Sequence, residues 1–96
     1  MTVLGTMKLN DDAFSGKLET LSVTRDINIK PTGLTDENAP DYRVFSGNGE
    51  VGAGWVRTSK KGNQYICLKL DDPSFYEPIY VNLLEGDDDY FLVWNR

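Results

Sequence analysis

The side chains able to do chemistry in this 96-residue chain are few in kind, and most are carboxylates. Asp71-Asp72 stands just before a proline, and Asp87-Asp88-Asp89 follows Gly86. Hard divalent cations need several oxygens at defined spacing, with the alternating ligands, central glycine and distant glutamate of an EF-hand loop as the best-known pattern. Neither cluster has it. Adjacent aspartates in turns bond to nearby backbone and face water. Carboxylate pairs also serve acid–base catalysis, but 15 acidic residues make accidental pairs common, so pairing alone says nothing.

Histidine is absent, which removes Ser–His and Cys–His catalysis and the usual zinc ligand. Cys67 is the only cysteine, set in Tyr65-Ile66-Cys67-Leu68 as a strand residue would be, and it reads as a small packed thiol. One cysteine forms no internal disulfide, which suits a reducing compartment. Gly47-Asn48-Gly49 and Gly52-Ala53-Gly54 lead into strands, so no helix N-terminus follows them to hold phosphate. The expectation is a protein with no catalytic residues, no cofactor and no metal, and hence not an enzyme.

Binding is the remaining chemistry, and charge gives it two opposed forms. The net charge is −5, yet residues 43–69 carry Arg43, Arg57, Lys60, Lys61 and Lys69 against Glu50, a net of +4. An acidic chain is a poor binder of duplex nucleic acid. A short single strand is a better fit, because bases stack on rings while Lys and Arg hold phosphates. Arg43, Arg57, Lys60, Lys61, Tyr65 and Lys69 would form that surface, and Trp55 would join it only in another register. The opposite form presents Asp71, Asp72, Asp87, Asp88 and Asp89 to a basic surface on another protein. Such complementarity speeds association and sets orientation. Its bland counterpart is a set of acidic turns that keep a small domain soluble.

These residues must be positioned by strands. The length fits one domain, and 40% hydrophobic residues supply one core. Thr2 to Leu9 suits a strand, and Asn10-Asp11-Asp12 a turn. Phe14 to Val23 alternates, with a bulge near Thr20 to repair the three-residue skip from Leu18 to Leu21. Arg25 to Lys30 puts Ile27 and Ile29 on one face. Pro31 to Ala39 is a polar loop with room for one helical turn over Thr35 to Asn38. Asp41 to Ser46 sets Tyr42 and Val44 against Arg43 and Phe45, and Gly47-Asn48-Gly49 makes a hairpin turn.

In Glu50 to Thr58, Val51, Ala53 and Trp55 share one face, and Gly52, Gly54 and Val56 the other. The two glycines leave a trough that a ring from a neighbouring strand is expected to fill. Ser59 to Asn63 is a basic turn. Gln64 to Leu70 places Ile66, Leu68 and Leu70 opposite Tyr65, Cys67 and Lys69. Pro73 bars continuation of that strand. Glu77 to Leu84 alternates Ile79, Val81 and Leu83 with Tyr80, Asn82 and Leu84. Gly86 to Asp89 is a turn, and Tyr90 to Trp94 is a terminal strand paired on both sides. The fold class is all-β: a single small domain of about seven or eight strands with little or no helix, either an antiparallel sandwich or a partly open barrel. A second copy could pair with an unpaired edge or with the glycine-bearing strand. No apolar run is long enough to span a bilayer. Met1-Thr2-Val3-Leu4-Gly5 lacks the basic and apolar regions of a signal peptide. A cytoplasmic protein that avoids membranes is expected.

The segments Gly5-Thr6, Ala39-Pro40-Asp41-Tyr42-Arg43-Val44-Phe45, Gly52-Ala53-Gly54-Trp55, Leu70-Asp71-Asp72-Pro73-Ser74-Phe75, Pro78-Ile79-Tyr80-Val81-Asn82-Leu83 and Leu92-Val93-Trp94 together resemble a bacterial family, domain of unknown function 736. The resemblance spans nearly the whole chain and is weakest from Arg25 to Glu37. It implies small proteins often encoded with plasmid or conjugative-element genes, and it carries over no catalytic residues. That setting implies an accessory protein of mobile DNA. The leading expectation is a non-enzymatic interaction module that inhibits a host defence complex of the CRISPR or restriction kind. The alternative is weak binding of single-stranded nucleic acid.

Overall fold

Short alternating strands joined by tight turns can lie in two layers or curl until their edges meet. Here the edges meet. A computed structural model describes residues 2–20, 24–33, 36–72 and 76–94. These residues contain eight strands: β1 (Thr2–Asn10), β2 (Ala13–Glu19), β3 (Thr24–Pro31), β4 (Tyr42–Ser46), β5 (Gly49–Thr58), β6 (Gln64–Leu70), β7 (Ile79–Glu85) and β8 (Tyr90–Trp94). Each strand pairs antiparallel with the next in chain order, and β8 pairs with β1 to close a barrel. Among the described residues there is no helix. Closure also removes the unpaired edge on which a second copy was expected to add a strand.

A barrel of this strand number is just wide enough for side chains to fill. The filling is aliphatic: Met7, Ile29, Val44, Leu68 and Leu92 are 0% exposed, with Ile27, Leu70, Val81 and Leu83 packed around them. The period-two patterns of β3, β6 and β7 put the expected residues inward. The exterior carries Lys8, Lys17, Asp26, Lys30 and Arg43, all exposed. Apolar inside and polar outside is the reverse of a transmembrane barrel.

Two departures from simple alternation turn extra apolar side chains inward. The β1–β8 register shifts between Val3 and Gly5, which leaves Leu4 as an extra residue in β1, and Leu4 is 7% exposed. The β4–β5 register shifts between Val44 and Phe45, where Val51 is the extra residue, and Val51 packs on the core. The bulge expected near Thr20 does not form. Strand β2 ends at Glu19, which already pairs with Thr24, so no register needs repair there. Leu21 and Val23 lie outside the described residues, as do residues 73–75 of the predicted stop after β6.

The inner face of β5 is the glycine face, the opposite of what its apolar residues suggest. Gly54 is buried, and a Cβ added there would meet the side chains of Leu68 and Ile66. A Cβ at Gly52 would run into the Lys69 carbonyl oxygen. At Gly54 the Tyr42 side chain of neighbouring β4 joins these branched aliphatic chains, and at Gly52 close backbone fills the trough.

Consecutive connections in this topology alternate between the two ends of the barrel. The β1–β2, β3–β4, β5–β6 and β7–β8 connections lie at one end, here called upper. The β2–β3, β4–β5 and β6–β7 connections lie at the lower end with the termini. The long β3–β4 loop is tied at its neck, where Thr32 Oγ1 donates to the Pro40 carbonyl at 2.8 Å and Thr32 N–H donates to the Asp41 carbonyl at 3.0 Å. The helical turn expected over Thr35 to Asn38 takes the form of a hydrogen-bonded turn from Asp36 to Ala39, and Thr35 itself lies outside the described residues.

Candidate functional site

Register decides which of the basic and aromatic side chains share a surface. Directly paired residues project from the same face of a sheet. Arg43 pairs with Ala53, Ala53 with Lys69, and Lys69 with Tyr80, giving one outward row across β4 to β7. A second row runs Trp55, Cys67, Asn82, and a third pairs Arg57 with Tyr65. Arg43, Arg57, Tyr65 and Lys69 are thus brought onto one outer face. Lys60 and Lys61 sit beside it, in the exposed β5–β6 turn.

Sequence reasoning left two residues off this face. Trp55 was assigned to the opposite side of its strand, and Tyr80 was not singled out. The signal for Trp55 was present: glycines at 52 and 54 fit only the crowded inner face, which forces Trp55 outward. Trp55, Tyr65 and Lys69 are half-buried, while Tyr80 is 57% exposed. A shallow groove of about 400 Å³ follows the first row, lined by Arg43, Ala53, Trp55, Lys69 and Asp71. Within it, Arg43 Nη1 lies 3.4 Å from Glu50 Oε1, and in a separate recess on the other side of Arg43 Lys30 Nζ stands 5.6 Å from the centre of the Phe45 ring. Cys67 is half-buried in the middle row, where Trp55 and Asn82 flank it.

The expected acidic contact set is split. Asp71 and Asp72 follow β6 at the lower end, whereas Asp87, Asp88 and Asp89 join β7 to β8 at the upper end. One strand separates the two connections, so they cannot share one flat interface. Asp71 is also held by its backbone, whose N–H donates to the Val51 carbonyl at 2.7 Å.

The upper end gathers other carboxylates instead. Asp11 and Asp12 lie in the β1–β2 turn, and Asp36, Glu37 and Asp41 in the β3–β4 loop. All of them are exposed, as are Asp87 and Asp88, while Asp89 is half-buried; the facing lysines are Lys60 and Lys61 in the β5–β6 turn and Lys8 on β1. Lys8 Nζ approaches Asp89 Oδ1 at 3.9 Å. Asp41 is fixed by its carboxylate, whose Oδ2 accepts the Val56 N–H at 2.9 Å.

Just inside this rim, Phe14 meets Tyr90 edge-on at 4.8 Å between ring centres and Tyr42 at 6.1 Å. Burial pushes the Tyr42 phenol above its usual pKa of 10.0, and the nearby Asp41, Asp12 and Tyr90 add to the shift. Sequence reasoning missed this cluster because its members come from three strands.

Among the described residues no three cysteine, aspartate or glutamate side chains converge as a metal site, and no helix is long and apolar enough to cross a membrane. No curated protein and no solved structure matches the chain. A family model does, and it covers residues 3–96, essentially all of the sequence that builds the barrel. The chain therefore belongs to the family described as protein of unknown function (DUF736).

Proposed function

We propose that this protein acts by binding, without chemistry, and that its acidic upper end docks on a basic surface of another protein in the cytoplasm. One observation carries the reading. Carboxylates from three of the four upper connections converge on one end of a rigid barrel, which aligns a single sign of charge in one direction. Such a field steers a positively charged partner and falls with ionic strength. The mobile-element setting implied by the family resemblance supplies the partner class: a host defence complex of the CRISPR or restriction kind, whose nucleic-acid groove is basic. Asp87, Asp88 and Asp89 are the contact charges; Asp71 and Asp72 face the other way and take no part.

The test is association kinetics with a captured partner. The combined Asp87→Asn, Asp88→Asn and Asp89→Asn variant is expected to associate roughly ten-fold more slowly at low salt, with dissociation little changed. An unchanged association rate would remove the upper end from the interface.

A second reading rests on the outer face. The register gathers Arg57 with Tyr65, and Lys69 with Tyr80, around Trp55, which is the arrangement of a stacking platform for a single strand. On this reading Arg57→Ala with Lys69→Ala weakens oligonucleotide binding and lowers its salt slope by about one unit per lost phosphate contact. A salt slope that stays the same would discard it.

A further inference from the structure

The upper mouth of the barrel is a cup as well as a rim. The inner faces of β2, β4, β6, β7 and β8 end there in a recess of about 150 Å³ lined by Phe14, Tyr42, Ile66, Leu83, Glu85 and Tyr90. The recess is open to solvent at the barrel mouth, and a space of that volume has room for a benzene-sized group. Its walls are aromatic and aliphatic, and its polar members are the phenols of Tyr42, Tyr65 and Tyr90, the Gln64 carboxamide and the Glu85 carboxylate. Glu85 pairs with Tyr90 across β7 and β8, which places the carboxylate beside the ring. No ion pair involves Glu85 among the described residues. Asp41, anchored to Val56 N–H at 2.9 Å, and Asp12 stand close enough to act on Tyr42.

This combination selects a ligand class. Aromatic faces attract cations through their quadrupoles, and more strongly when the cation is desolvated. A carboxylate at the edge of the same recess holds a cation by charge-assisted hydrogen bonds, and a planar guanidinium suits both contacts. A neutral apolar group would gain the walls but make no use of the charge that Glu85 places at the recess. An anion would meet Glu85 and the acidic rim.

We propose that the upper cup receives one arginine side chain of the partner, its guanidinium against the Tyr42 and Tyr90 rings and hydrogen-bonded to Glu85. This rests on the reading of the upper end as a docking surface for a basic protein and adds the side chain that anchors it. An arginine seated at the centre of a patch, which the partner's own surface then shields from water, with weaker charges around it, is the usual form of an interface hot spot.

The probe is N-acetyl-arginine amide, titrated into the purified protein while the aromatic NMR resonances of Phe14, Tyr42 and Tyr90 are followed. The neutral isostere N-acetyl-citrulline amide serves as the comparison. Saturable shifts at these three residues with arginine, absent with citrulline and weakened roughly two- to five-fold in Glu85→Gln, are the expected result. Glu85 is exposed, so this substitution leaves the fold intact, and unchanged backbone spectra will confirm it. Equal shifts with citrulline, or no saturable shift, overturn the cup. Arginine binding that survives Glu85→Gln but is lost in Asp87→Asn with Asp88→Asn also overturns it, because the rim alone would then attract the cation. In that last case the docking reading stands while the cup falls.

Discussion

An alanine at Gly5 would drive its Cβ into the carbonyl oxygen of Lys17 on the neighbouring strand, a contact that backbone on both sides cannot relieve cheaply. Gly5→Ala is expected to destabilise the barrel by about 1–3 kcal/mol, seen in denaturant as a lower midpoint with an unchanged slope. Tyr42 gives a pH-dependent test. Its phenol is neutral in both states below its ordinary value, so its contribution is fully present there. With the folded value raised above 10.0, the unfolded chain ionises first, and stability falls as pH rises from that ordinary value through the raised one. Tyr42→Phe removes this slope, so between about pH 9 and pH 11 the variant should lose less stability than the parent in parallel denaturant titrations. Identical alkaline profiles would mean that Tyr42 is not the group concerned. At this scale the sequence was readable where an inward residue is apolar and misleading where it is a glycine. Trp55 faces outward from β5 because the room available at Gly52 and Gly54, and not hydrophobicity, decides which face turns inward.

Strands β6 and β7 were legible residue by residue, since one face of each is buried and the other is not. Ile66, Leu68 and Leu70 alternate with Tyr65, Cys67 and Lys69 in the structure as in the pattern. Leu68 is 0% exposed at the centre of the filling, so Leu68→Ala should cost about 2–5 kcal/mol in equilibrium unfolding. The hairpin turns were equally plain. Gly47 has φ of 62° and Gly62 of 87°, conformations that glycine tolerates and other residues resist. The bulges were not legible. Leu4 and Val51 turn inward only because the partner strand sets the register around them, and a partner's register leaves no mark on a strand's own pattern. The misplaced bulge at Thr20 shows the same limit: the skip from Leu18 to Leu21 is not an irregularity within β2, because β2 stops first at Glu19.

For the whole molecule, the strand number and the antiparallel arrangement followed from the turns, but closure did not. Whether eight strands stack or join their edges depends on accumulated stagger and twist, which no single segment encodes. The placement of charge was within reach. In an up-and-down chain, connections separated by one strand lie at opposite ends, so Asp71-Asp72 and Asp87-Asp88-Asp89 could have been separated by counting. The cup was beyond reach, because Phe14, Tyr42, Glu85 and Tyr90 meet only when the barrel closes. The resulting molecule is polarised, with an acidic upper end and a basic, aromatic flank on β4 to β7. The flank and the end make separable predictions, and Arg57→Ala with Lys69→Ala removes charge from the first while the upper-end carboxylates stay in place.

The most direct test immobilises three forms of the protein and exposes each to nuclease-treated bacterial lysate: the parent, the Asp87→Asn, Asp88→Asn, Asp89→Asn variant, and the Arg57→Ala, Lys69→Ala variant. The account predicts a protein partner held by the parent and by the flank variant, released by added salt and lost from the acidic-end variant. Retention of the same partner by the acidic-end variant, or capture that disappears with nuclease treatment, would contradict it.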